Sequence, residues 1–383
     1  MPADMNNFDV IVVGLGAMGS AAAYHLARQN RAVLGLDAFG PAHDRGSSHG
    51  ESRIIRQAYF ENPAYVPLVL RAYELWEQLQ KESGENLLTI TGGLGIGPEN
   101  GELVSGCLRS AKEHGLAHEL IGCRQMRTRF PQFFLADGET AFYEERAGFL
   151  RPEECIRQHL RGASERGATL HFDEPVLSWS ASSQGEGAEV HTSRQTYRAR
   201  SLVLSVGAWF AELVMAASIP VVVTRHVMFW IRPIRQASTF DKSVFPIFLW
   251  KPEEGPLFYG FPRLSEETYP KVAIHSGMEK CSPSSIDRAI HPGDESAVRS
   301  AIGERIPALN GEVMHACTCM YTMTPNEHFI LDRHPDYPQV VLAGGFSGHG
   351  FKFSSVVGEI LSQLATDGKT RMDIALFSAT RFS

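Results

Sequence analysis

The sequence predicts an α/β protein of two interleaved parts. One is a discontinuous set of parallel strands alternating with helices, and the other a large mixed antiparallel sheet. Three observations predict it. The chain has 383 residues, more than a single core usually organises. It opens on a β-branched apolar run that turns through glycines into an Ala-rich helix. Its middle carries runs rich in aromatic and β-branched residues, as antiparallel strands do.

The run FDVIVV, Phe8 to Val13, is almost wholly apolar and reads as a buried parallel strand. Gly14-Leu15-Gly16-Ala17-Met18-Gly19 follows at once, then the helical stretch SAAAYHLARQN and a second strand, AVLGLD, ending at Asp37. Each glycine has a physical task. Gly14 permits the tight turn, Gly16 lets backbone approach a pyrophosphate, and Gly19 lets the helix pack closely on the sheet. The phosphates then sit at the positive end of the helix. Asp37, 23 residues after Gly14, can accept hydrogen bonds from ribose hydroxyls. This is a Rossmann-like dinucleotide site. Its position at the start of a long two-domain chain favours FAD over NAD.

Further elements of the same kind recur along the chain. Arg151 to Arg166 reads as an amphipathic helix, followed by the strand ATLHF and a turn at Asp173-Glu174-Pro175. Ala199 to Val206 is a buried strand running into Gly207-Ala208-Trp209. Val340 to Ala343 is another; it opens into Gly344-Gly345-Phe346-Ser347-Gly348-His349-Gly350, and a helix spans Ser354 to Ala365. A strand, a glycine loop and a helix again present N–H groups to an anion or a polarised ring. Leu88 to Ile96, Val221 to Ile231, two strands within Phe245 to Phe261, and Lys271 to His275 supply the mixed sheet. The expected division is 1–86, 150–218 and 325–383 for the FAD-binding domain, with 87–149 and 219–324 for the substrate domain.

The net charge of −7 and the lack of a basic stripe argue against a nucleic-acid partner. No apolar run approaches the roughly 18 residues that span a bilayer, and no secretory signal opens the chain, so a cytoplasmic protein is expected. The six cysteines are scattered, without the spacing of a zinc site or a disulfide framework, and no metal is expected. Taken alone, several polar residues read blandly. Arg53 and Arg56, three apart on an expected helix, read as solvated. Lys271 reads as a surface lysine at a strand start, His275 as a satisfied strand histidine, Tyr259 as core, and Cys319 as a buried thiol. Lys352 is different: a charge between Phe351 and Phe353 is unusual.

Five motifs then carry a resemblance over nearly the whole chain: HGESRIIRQAY (49–59), YVPLVLRAYELW (65–76), YGFP (259–262), CMYT (319–322) and GFSGHGFKFSS (345–355). In order and at matching separations, they resemble the family of monomeric sarcosine oxidase and N-methyltryptophan oxidase, in the D-amino-acid oxidase superfamily. The resemblance implies an FAD-linked amine oxidase acting on a small secondary amino acid. Dioxygen would be the acceptor, hydrogen peroxide a product, and the chain a monomer. It implies that Cys319 joins the flavin 8α-methyl group, whereas Cys317 has no such counterpart. Arg56 and Lys352 match the pair that grips the substrate carboxylate, and Lys271 the lysine where oxygen is activated. His275 and Tyr259 match pocket residues, and His49 and Arg53 residues beside the ring. Ser47, Val176, Gly207, Trp209, Gly345, Gly348, Gly350, Phe351 and Lys352 complete the implied cofactor-binding set.

The residue types suit the chemistry. A planar fork plus a second cation suits a carboxylate. Holding the reacting carbon in place converts binding into rate. A fixed ammonium stabilises negative charge that develops on oxygen. There are departures from the family. Ser48 stands where it often carries a second histidine, so one flavin-proximal imidazole is missing. The hairpin between Tyr259 and Lys271 (RLSEETYP) is longer and more polar, and Trp250 and Met323 bear on pocket shape. A larger substrate (N-methyltryptophan, a cyclic imino acid or a fructosyl amino acid) or a non-oxygen acceptor is the alternative. A serine hydrolase is the remote third reading: Gly345-Phe346-Ser347-Gly348-His349 starts like a nucleophile elbow but lacks its last glycine.

Overall fold

A computed structural model describes residues 7–214, 219–275 and 279–382. The first of two eight-stranded sheets has a parallel centre. Its order runs Thr169–His171, Val33–Leu36, Asn7–Val13, Thr196–Leu204, then Val340–Gly344, with Ile330–Arg333 antiparallel at the end. The antiparallel strands Val176–Ala181 and Ala188–Thr192 extend it beside the first half of Thr196–Leu204. Val10 to Val13 and Leu202 to Leu204 are buried on both faces, as their unbroken apolar runs require.

Helices Ala17–Arg28, Val66–Ser83, Pro152–Glu165 and Ser354–Asp367 pack together over this sheet. Small residues set the spacing. A Cβ on Gly358 would lie 2.5 Å from Ala21, and one on Gly19 would lie 1.8 Å from the carbonyl oxygen of Gly14. The first helix therefore sits directly on the glycine turn, as the spacing predicts.

The second sheet is antiparallel except for one parallel pair. Its order is Val313–Met323, Val222–Ile231, Lys271–Ile274, Phe258–Phe261, Ile247–Trp250, Gly93–Pro98, Glu139–Glu144 and Glu119–Ile121. The expected mixed antiparallel sheet is present. One expected strand is not continuous: Leu88 to Ile96 breaks at Gly92, whose φ of +72° turns the chain. Leu88–Ile90 joins a separate three-stranded sheet with Gly148–Leu150 and Arg53–Ile55, and Gly93–Pro98 joins the large one. Arg53 and Arg56 are accordingly not on a helix. Arg53 opens a strand, because the β-branched pair Ile54-Ile55 pairs with Phe149 and Gly148.

Gly19→Ala should destabilise the protein by about 1–3 kcal/mol, since backbone meets the new methyl and cannot move cheaply. The thermal midpoint of cofactor-free protein measures this, and an unchanged midpoint would count against so tight a contact.

Candidate active site

A cavity of about 740 Å³ runs along the seam where the carboxyl ends of the parallel strands face the strand Val313–Met323. That is within the range of small-molecule sites. Its walls come from distant segments: the glycine turn, Asp37 to Ser48, Glu174 to Leu177, Ser205 to Trp209, Met320 to Thr322, and the second glycine loop.

At the first wall, Gly14 has φ +85°, and a Cβ there would meet the Ser205 carbonyl oxygen at 2.6 Å. Gly16, by contrast, has nothing within 4 Å of a Cβ position, so backbone alone borders the cavity there. The helix behind it has no side-chain N-cap and no acid in its first turn. Its positive end is free for an anion. The Asp37 carboxylate accepts from the Leu15 N–H at 2.7 Å and the Phe39 N–H at 2.9 Å, holding the loop while one edge lines the cavity. Ser47, Arg53, Val176, Gly207, Trp209, Gly345, Gly348, Gly350 and Phe351 also line it. These residues fit a pyrophosphate-linked dinucleotide. Gly19 serves the packing of the helix instead. His49, Cys319 and Lys352 are buried but do not line the cavity.

The polar residues at the edge of the cavity and beyond it fall into two groups. Around Cys319 stand Arg53 and Lys271. Arg53 donates to the carbonyls of Ser52 at 2.9 Å and Ser47 at 3.0 Å, and its Nη2 lies 3.7 Å from Cys319 Sγ. Burial pushes the Cys319 thiol up and Arg53 pulls it back. Lys271 is not a surface residue. Its Nζ donates to the carbonyls of Gly50 at 2.5 Å and Ser52 at 2.7 Å and lies 4.3 Å from the Phe261 ring centroid. Phe261 and Trp230 are its cross-strand neighbours. Burial pulls its pKa well below the ordinary range, with Arg53 adding to the effect. The two carbonyls and the ring face favour the ammonium. Tyr259 Oη is 3.1 Å from Tyr321 Oη, and His275 packs edge-on to the Tyr259 ring and tilted against the Tyr321 ring. Burial holds His275 neutral, down to about 4, and His49 likewise, with Arg53 adding to the effect on His49.

The second group holds Arg56 and Lys352, both buried. Arg56 Nη1 donates to the Ala58 carbonyl at 2.6 Å, and Nη2 to both oxygens of Glu61 at 2.8 Å. Burial works against the Arg56 charge, but Glu61 overrides it and the net shift is upward. Lys352 Nζ donates to the His349 carbonyl at 2.7 Å, and Trp76 Nε1 holds the Lys352 carbonyl at 2.9 Å. Sequence reasoning missed Glu61 and gave Tyr59, Tyr321 and His349 no role, although the last three lie inside the quoted motifs. Ser347 is no nucleophile. It is fully buried, accepts from the Thr324 N–H at 3.2 Å and donates to the Gly345 carbonyl at 3.1 Å.

A family model described as FAD dependent oxidoreductase matches residues 9–364. The chain belongs to the FAD-dependent oxidoreductase family. It is 44% identical to the monomeric sarcosine oxidase of Streptomyces avermitilis, over 98% of each chain. It is 34% identical to the N-methyl-L-tryptophan oxidase of Yersinia pestis, over 98% of this chain and 100% of the other. The solved structure of NikD, an unusual amino acid oxidase essential for nikkomycin biosynthesis, matches with a TM-score of 0.86 over 97% of both chains at 22% identity. So remote an identity speaks to fold alone. The cavity with its two glycine walls has the chemistry to suit the cofactor of an FAD-dependent oxidoreductase.

Any carboxylate that reaches Arg56 must compete with Glu61. In the purified flavoprotein, Glu61→Gln should bind propionate roughly tenfold more tightly, because a charged hydrogen-bond partner is freed. Its thermal midpoint should fall, because the buried Arg56 loses its counter-charge. Calorimetric titration and melting check the two effects separately.

Proposed function

We propose that this flavoprotein oxidises the C–N bond of a small N-methyl amino acid such as sarcosine, with dioxygen as acceptor. The observation that carries the reading is a buried pair of cations, Arg56 after the Arg53 strand and Lys352 at the inner end of the second glycine loop, beside the cavity assigned to FAD. Two cations so buried, one a planar fork, suit a substrate carboxylate. The names of the full-length relatives add support.

In this reading Arg56 and Lys352 take the carboxylate and fix the amino acid's orientation. Tyr259, His275 and Tyr321 line its amine side; His275, neutral by burial, repels no amine. Held by the glycine turn, Asp37 and the second glycine loop, FAD would supply the redox chemistry, accepting a hydride equivalent from the carbon beside nitrogen and returning the electrons to dioxygen. Lys271 keeps a third N–H beyond its two carbonyl bonds and supplies positive charge where oxygen is reduced. In net terms the N-methyl amine and dioxygen give an imine and hydrogen peroxide. Water then converts the imine to an aldehyde and the primary amine.

The finer assignments complete the proposal. Cys319 carries FAD covalently, with Arg53 favouring its thiolate and His49 packed among the groups that support attachment. Residues 1–86, 150–218 and 325–383 form the FAD-binding domain, and 87–149 and 219–324 the substrate domain; 1–6, 215–218, 276–278 and 383 lie outside the described residues. The chain works as a cytoplasmic monomer, and no helix among the described residues is long and apolar enough to cross a membrane.

A peroxide assay over sarcosine, N-methylated larger amino acids, cyclic imino acids and fructosyl amino acids tests the function. Turnover with sarcosine or a close N-methyl homologue is expected. Silence across the panel overturns the substrate class, and turnover only with an artificial electron acceptor overturns the oxidase. Separately, yellow colour should stay with acid-precipitated protein and be lost from Cys319→Ser. Release of free flavin from the unaltered chain would overturn the covalent bond.

A further inference from the structure

Tyr59 stands between the two cations of the carboxylate site. The Arg56 guanidinium lies 4.2 Å and Lys352 Nζ 5.1 Å from its ring centroid, and Nζ reaches the Tyr59 oxygen at 3.4 Å. That oxygen is 2.5 Å from His349 Nδ1. The other ring nitrogen of His349, Nε2, is 3.0 Å from the Glu327 carbonyl oxygen.

These contacts settle where the protons sit. A carbonyl only accepts, so Nε2 carries a hydrogen. Burial pushes His349 down to about 3, so at neutral pH its ring has one N–H and no more. Nδ1 must then accept, and the Tyr59 hydroxyl donates to it. The Tyr59 oxygen is left with only lone pairs to offer Lys352. The carbonyl of the same His349 is the second acceptor for Nζ, at 2.7 Å.

We propose that Tyr59 and His349 are positioning residues for the carboxylate site. The imidazole pins the Tyr59 proton away from Lys352, so Lys352 meets two acceptors, keeps its own proton and aims its remaining N–H at the substrate carboxylate. This rests on the reading of Arg56 and Lys352 given above.

The charge on Lys352 needs such help. Arg56 and Glu61 face it from the segment after the Arg53 strand, His275 from the end of the Lys271 strand, and Tyr59 and His349 directly, with Tyr65 stacked behind Tyr59. Only Glu61 among these is an anion, and it is already bound to Arg56. Burial, then Arg56, brings Lys352 down to about 7, with Glu61 opposing. As pH rises through that region the ammonium is lost, and with it affinity for a carboxylate. Removing an acceptor makes the loss occur at lower pH.

The test is calorimetric titration of the purified flavoprotein with propionate, which has no amine to titrate, across the neutral range. Tyr59→Phe keeps the ring under both cations but deletes the acceptor. Its affinity should fall about tenfold at neutral pH. The midpoint of the alkaline loss should move down by about one pH unit. His349→Leu should move it likewise, whereas His349→Asn, whose amide oxygen can stand near Nδ1, should retain more of the parent profile. A merely structural role would weaken binding at every pH and leave the midpoint in place, and that result overturns the proposal. Lys352→Met separates the two levels. If it leaves propionate binding and its pH dependence intact, the reading of the carboxylate site itself fails. If it abolishes the pH dependence while Tyr59→Phe moves nothing, only the positioning role fails.

Discussion

Between Ser47 and Ser52 the backbone turns three carbonyl oxygens onto two cations, the half-buried Arg53 and the buried Lys271. Ser47 and Ser52 accept from Arg53, and Gly50 and Ser52 from Lys271. A cation taken out of water costs several kcal/mol unless hydrogen bonds replace its hydration. Carbonyl dipoles do so here in place of an ion pair, with Glu153 acting at longer range. The turn itself is costly. Gly50 sits at φ +95° and Glu51 at +66°, a conformation non-glycine residues rarely hold. Glu153, on the first turn of the helix Pro152–Glu165, restrains it by accepting from the N–H groups of Gly50 and Glu51 at 2.6 and 3.1 Å.

The second cation pair is neutralised differently. Arg56 is matched by a carboxylate and Lys352 by a carbonyl and a phenol. The difference fits the two tasks proposed for them. A group meant to act on oxygen is served by carbonyl partners rather than an ion pair, although burial works against its charge. A group meant to receive a carboxylate can hold an internal one until the ligand arrives.

The nucleotide-binding half was legible in the sequence because its signal is local. Six residues fix a turn, a helix start and a close approach, and Asp37 follows on the next strand. The substrate half was not. Arg53 and Arg56 read as helical because their three-residue spacing outweighed Ile54-Ile55. What makes that stretch a strand is pairing with Gly148–Leu150, nearly a hundred residues away. Lys271 looked like a surface residue because nothing nearby announces that Trp230 and Phe261 will flank it. Family motifs brought the right letters to attention without showing that Tyr59 and His349, 290 positions apart, share a proton.

The cavity wall has a consequence for how the protein is made. Its lining begins at Val13 and ends at Phe351, and no part of it is closed by one contiguous stretch. On a ribosome, the first strand, turn and helix emerge long before the loop that faces them across the cavity. Until then the glycine turn is an open surface with half its walls missing. Chains of this size commonly collapse in stages before packing is complete. A ligand of this cavity can therefore be enclosed only once residue 351 has been made, and a chain truncated before that point would expose the apolar lining to its neighbours.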